Sequence, residues 1–278
     1  MPHSVARHLR LEPPRGWQGL KLPELWAYRE LLFFFVWRDI KVRYKQTVLG
    51  AAWAVLQPLA ATFVFTIFFG RLAGLSARTN GPYSLHVFAA LIPWTFFANA
   101  VTQSANSLVG SSHLISKIYF PRLLVPLAPV VAALVDFGVA FVALLALMPF
   151  FGVTPGWRLI AIPALLGGTI VASTGVGILF SAITVTYRDF RFVMSFLMQL
   201  WLFASPVPYS LATTIPASWQ MLYAVNPMVG MIAGFHAAVL SEALPLRLIA
   251  VSFTSAVVLL VIGVNYFLRV ERRFADVI

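Results

Sequence analysis

From Leu123 to Phe151 the chain carries one charged side chain, Asp136, and nothing else more polar than glycine or proline. That run is longer than the roughly 20 apolar residues a helix needs to cross the hydrocarbon of a bilayer. It is not alone. Only 10% of the 278 residues are charged and 60% are hydrophobic, against roughly 25% charged in soluble domains. A soluble fold of this size has too little interior to hide so much apolar side chain, so the bilayer is the solvent the composition fits. Transmembrane β-barrels show weak alternation in place of long runs. The expected fold is therefore an all-α integral membrane protein.

Residues 1–21 read as a loose cytoplasmic tail: Pro13-Pro14-Arg15-Gly16 breaks any early helix, and the stretch lacks the apolar core of a signal peptide. Residues 22–46 read as an interfacial amphipathic helix. Trp37, Ile40 and Tyr44 share one face of it, and Arg38, Lys41 and Lys45 another. The rival reading is a basic flank of the first span. Residues 47–278 form the transmembrane domain, with spans expected at about 48–70, 83–106, 123–151, 158–186, 192–205 and 247–268. Between them, residues 209–245 are broken by Pro216, Asn226-Pro227, Gly230, Gly234 and Pro245. We read there two short helices that enter the outer leaflet and return, which is tolerated where protein or water satisfies the backbone. The alternative is one extra distorted span.

Charge favours the re-entrant form. With six spans and both termini in the cytoplasm, sixteen of the twenty Lys and Arg residues fall on the cytoplasmic side. Only Arg71, Arg78, Arg158 and Arg247 fall outside. That matches the positive-inside rule, and a seventh span would expose the final arginines. The net charge of +11 is thereby assigned to anionic lipid, not to nucleic acid.

Visible enzyme chemistry is missing. The sequence has no P-loop, no nucleophile elbow, no cysteine, and no histidine or carboxylate spacing that suits a metal. Asp136 is the one clear intramembrane carboxylate. It reads either as a relay or gate contact or as a hydrogen-bonded contact between helices.

Four segments, in order, resemble one family. They are Trp37 to Pro58 (WRDIKVRYKQTVLGAAWAVLQP), His113 to Pro126 (HLISKIYFPRLLVP), Tyr187 to Arg191 (YRDFR), and Asn226-Pro227 before a glycine-broken helix. Together they resemble the permease subunits of type-2 ATP-binding-cassette exporters. The branch they are most similar to exports O-antigen, capsule and teichoic-acid polymers. One position departs: the family often has an arginine near where Phe235-His236 stands.

The resemblance implies a bacterial inner-membrane homodimer with a conduit between two copies and two separate ATPase subunits beneath. ATP and magnesium would bind those partners and no cofactor this chain; the cargo would be lipid-linked polysaccharide. It implies that the loop from Ser111 to Arg122, with His113, Lys117, Tyr119 and Phe120, docks on the ATPase. It also implies that the first and fifth spans wall the conduit. On those spans Trp53, Gln57, Val64 and Phe68, and Phe192, Phe196, Gln199 and Phe203, follow helical spacing. Aromatic faces let sugar rings slide past, although lipid-facing aromatics look the same in sequence. Arg38, Lys41, Arg43 and Lys45 are candidates for a pyrophosphate headgroup or for ordinary anionic lipid. The rivals are an exporter of a drug or small lipid on this architecture, a secondary transporter, and a membrane transferase.

Overall fold

The computed structural model describes residues 22–45, 50–78, 81–115, 117, 119–187, 189–271 and 274. The tail assigned to residues 1–21, and residues 46–49 with the end of the expected interfacial helix and the start of the span expected at 48–70, lie outside the described residues. Every regular element among the described residues is helical. In chain order the α-helices are α1 (Leu22–Ala27), α2 (Arg29–Tyr44), α3 (Trp53–Phe65), α4 (Tyr83–Gly110), α5 (Ser112–Ile115) and α6 (Leu124–Leu147). They continue with α7 (Ile162–Thr186), α8 (Phe190–Phe203), α9 (Leu211–Thr214), α10 (Ala217–Tyr223), α11 (Pro227–Val239) and α12 (Leu246–Val270).

Among the described residues five helical segments are long and apolar enough to cross a membrane: Trp53–Leu72, Tyr83–Gly110, Leu124–Phe151, Trp157–Thr186 and Leu246–Val270. At the centre stands α4, buried along most of its length against α6, α7, α3 and α11; its one polar stripe, Thr95, Asn99, Gln103 and Asn106, is only half-buried.

Glycines set the closest helix contact. A Cβ on Gly175 of α7 would sit 2.6 Å from the backbone nitrogen of Leu260 on α12, and one on Gly263 would meet the carbonyl of Gly175. Only hydrogen at those positions lets the two backbones touch. The same contacts fix direction. Gly168 lies against Phe253, Gly175 against Leu260, and Leu179 against Gly263, so α7 and α12 run parallel. The chain leaving α7 must therefore traverse the bundle once more before α12 begins, and α8 makes that passage. It starts with Phe190 against Phe180, ring centroids 5.1 Å apart. Its far turn reaches Pro208, whose carbonyl accepts a 2.6 Å hydrogen bond from the Tyr83 hydroxyl at the start of α4. At 14 residues α8 is roughly 21 Å long, so the turn after it completes the traverse.

The segment after α8 differs from the two short helices expected. Three form, because Pro216 separates α9 from α10. Between α10 and α11 the chain bends by 118°, and α11 packs beside the first turns of α7 and α12. This is a return at one end of the bundle, as a re-entrant hairpin requires.

The interfacial segment also differs from its sequence reading. It breaks at Tyr28, whose carbonyl accepts from both Leu31 and Leu32. Its packed residues are Phe35 and Val36, while Trp37 is largely exposed. The winning contact is Phe35 on Phe120, at 5.7 Å between centroids. Beyond α3 the chain widens into a π-helix over Thr66–Leu72, which the sequence did not lead us to expect. Pro58 lies inside α3, and the hydroxyls of Thr62 and Thr66 each donate 2.7 Å bonds back to carbonyls one turn earlier. Such back-bonding and proline loosen a helix ladder.

Candidate functional site

The residues assigned to a conduit wall lie on one face of each of their two helices. Trp53, Gln57, Val64 and Phe68 of the first segment, and Phe192, Phe196, Gln199 and Phe203 of α8, are all exposed in the single chain. The opposite side of α8 buries Met194 and Met198. The two walls meet at one end, where Phe203 packs on Phe65 and Phe69 with centroids 6.5 and 6.3 Å apart. An apolar face this large on a single protomer is of the kind that meets lipid or another chain.

The four basic residues of α2 do not form one patch. Lys41 and Lys45 point outward, with Lys41 5.2 Å over the Trp37 ring. Arg38 bonds the neighbouring Asp39 at 2.9 Å and lies 5.2 Å over Phe35. Arg43 turns inward instead. Its guanidinium donates to Asp136 of α6 and to the Gln103 side-chain oxygen of α4. The Tyr44 hydroxyl donates to the other oxygen of Asp136. Burial first, and then the adjacent carboxylate, push Tyr44 up to about 12, so it remains a donor at any physiological pH. Asp136 is thus a hydrogen-bonded contact tying the end of the interfacial helix to the middle of a span.

The loop assigned to ATPase docking divides in the same way. His113, Lys117 and Tyr119 are at the surface, Tyr119 with 79% exposure. Ser111 and Phe120 are buried. Arg122 donates a 2.6 Å bond to the Glu271 carbonyl just past α12. Ser116 and Ile118 of that loop lie outside the described residues. Because Phe120 packs on α2 and Arg122 on the end of α12, a push on this loop reaches both elements.

The Asn226-Pro227 pair is a junction. The Asn226 side-chain oxygen accepts 3.0 Å bonds from the Met228 amide and the Trp201 indole, and its nitrogen donates to the Ala204 carbonyl at 2.9 Å and the Ser205 hydroxyl at 3.1 Å. It therefore caps α11 and holds the turn after α8 against it. Beside this junction, burial and the Tyr223 phenol push the Tyr209 hydroxyl upward.

Sequence reasoning singled out His236 only as a departure from the family pattern and did not single out His86. The structure stacks the two rings with centroids 3.6 Å apart, both nearly inaccessible. Both nitrogens of His86 and Nε2 of His236 find no side-chain hydrogen-bond partner within ordinary geometry among the described residues. Two histidines 150 residues apart give no local signal of such a contact.

The ABC-2 type transporter family model matches residues 30–240. Among curated proteins, the chain is 31% identical over 224 residues to the O-antigen export system permease protein RfbA of Myxococcus xanthus, covering 80% of this chain and 85% of that one. It is 27% identical over 251 residues to the protein of the same description from Klebsiella pneumoniae, covering 90% and 95%. Against the polysialic acid transport protein KpsM of Escherichia coli it is 26% identical over 202 residues, covering 69% and 74%. The matched span takes in α2, the docking loop, the exposed faces of α3 and α8 and the Asn226 junction, and the chain belongs to the ABC-2 type transporter family as a multi-pass membrane permease, not an enzyme.

Proposed function

We propose that this chain is the transmembrane subunit of an exporter that moves lipid-linked polysaccharide across the bacterial cytoplasmic membrane. The observation that carries the reading is the exposed aromatic surface shared by α3 and α8, on a chain similar over most of its length to O-antigen export permeases. Two copies bring these surfaces together around a conduit. Weak stacking on aromatic rings suits a polymer that must slide, since strong directional bonds would hold it in register. ATP and its magnesium bind separate ATPase subunits. These dock under the exposed side of the Ser111–Arg122 loop, which places both chain termini in the cytoplasm, in line with the bias of Lys and Arg.

The test is a strain lacking this chain. Surface polysaccharide should disappear while lipid-linked polymer accumulates inside. The wild-type chain should restore export, and Tyr119→Asp should assemble in the membrane but restore little, because it places a charge where the ATPase sits. Undiminished surface polysaccharide in the deletion strain would overturn the cargo and leave a small lipid or drug as the substrate class.

A further inference from the structure

A cleft of about 150 Å³, partly open to the surroundings, lies between α2, α3, α4 and α6. That is below the roughly 300–1,000 Å³ of a drug-sized ligand's pocket, so the cleft takes one small group and not a whole oligosaccharide. Trp53 of α3, Phe137 of α6 and the Arg43–Asp136 ion pair stand on its walls. Gln57 and Asn99 also line it. Their side-chain amides bond to nothing among the described residues.

Gln57 is exposed and Asn99 half-buried, so both amides are open to a ligand in the cleft. An acyl chain filling the cleft would leave both unpaired, which is unfavourable. A primary amide offers both donors and an acceptor, and a sugar hydroxyl matches either. The half-exposed Trp53 ring supplies the apolar face on which a pyranose stacks. The nearby ion pair is neutral as a whole, so nothing in the cleft calls for a charged ligand.

We infer that this cleft binds one uncharged sugar ring of the exported glycan, with Gln57 and Asn99 bonding its hydroxyls and Trp53 stacking on its face. The inference rests on the export reading and adds a subsite to it. Trp53 and Gln57 belong to the exposed face of α3, while Asn99 stands on α4 and Phe137 on α6, which pack against α3, so the subsite joins the conduit wall to the helices beside it.

The experiment uses the full chain with its ATPase partner in lipid nanodiscs. It reads ATPase stimulation against lipid-linked polysaccharide extracted from the source cells. Asn99→Leu and Gln57→Leu should each raise the half-stimulating concentration about tenfold, or about 1.4 kcal/mol. Asn99→Ser should recover part of that loss, which a packing defect would not. Asn265→Leu, removing an amide that bonds only to Val261 on its own helix α12, should leave the concentration unchanged. Equal half-stimulating concentrations for wild type and both leucine variants would overturn the subsite. A parallel titration with the sugar-free lipid pyrophosphate separates the two sources of stimulation. If Asn99→Leu weakens that response as strongly, the cleft holds the headgroup and the sugar assignment falls. A wild-type complex that no lipid-linked glycan stimulates would overturn the export reading, and the subsite's ligand with it.

Discussion

At the scale of single residues, the Arg43–Asp136 pair shows where local pattern stops informing. Asp136 is conspicuous in the sequence as a lone carboxylate in an apolar run. Its partner is not, because 93 residues separate them and Arg43 sits among Arg38, Lys41 and Lys45, any of which has the right chemistry. What selects Arg43 is the rotation of α2 about its axis, set by Phe35 and Val36 packing on distant elements. The pair also makes a clear energetic prediction. Removing one member leaves the other charge part-buried without its counter-ion, which costs about 1–3 kcal/mol, whereas replacing both with apolar residues is often nearly neutral. Asp136→Leu alone should therefore sharply lower the thermal unfolding midpoint of the detergent-solubilised chain. Arg43→Leu combined with Asp136→Leu should recover most of it. Equal midpoints for the single and double variants would mean the contact contributes no coupling.

At the scale of elements, apolar length was legible and helix faces were not. The runs that became α4, α6, α7 and α12 stand out because a bilayer tolerates nothing else there, and Pro216 with Asn226-Pro227 signalled a hairpin because they interrupt both helix ladder and hydropathy. The glycines of α7 show the limit. Gly167, Gly168, Gly175 and Gly177 look alike in sequence, yet a Cβ on Gly167 would meet nothing within 4 Å while one on Gly175 would strike the backbone of Leu260. Which glycine matters depends on where α12 lies. Gly263→Val should separate α7 from α12 and destabilise the protein by about 1–3 kcal/mol, the usual range for overpacking. Gly167→Ala should leave it unchanged or raise stability by up to about 1 kcal/mol, since alanine is the better helix former. Thermal unfolding in a common detergent checks both. A Gly263→Val chain as stable as wild type would show that the parallel contact is looser than the backbone approach implies.

At the scale of the whole molecule, the parallel run of α7 and α12 carries the topology. Between them only α8 and the bent α9–α11 segment are available, and they must deliver the chain from one end of the bundle to the other. Six traverses follow: α3, α4, α6, α7, α8 and α12. That number puts α2, the docking loop and the end of α12 together, as the Phe35–Phe120 contact and the Arg122–Glu271 hydrogen bond also require. Which end faces the cytoplasm is a matter of charge, and the positive-inside rule assigns the end carrying α2. The chain contains no cysteine, so single cysteines can be read against a silent background. Tyr119→Cys and Arg269→Cys should resist a membrane-impermeant maleimide in intact cells and react in inside-out vesicles. Phe150→Cys, at a side chain 85% exposed at the opposite end, should react in intact cells. If the α10–α11 segment crossed the membrane as a further span, Arg269→Cys would label from the side opposite to Tyr119→Cys. Labelling of both from the same side leaves the hairpin as a return, and places the docking loop and the end of α12 where one ATPase can push on both.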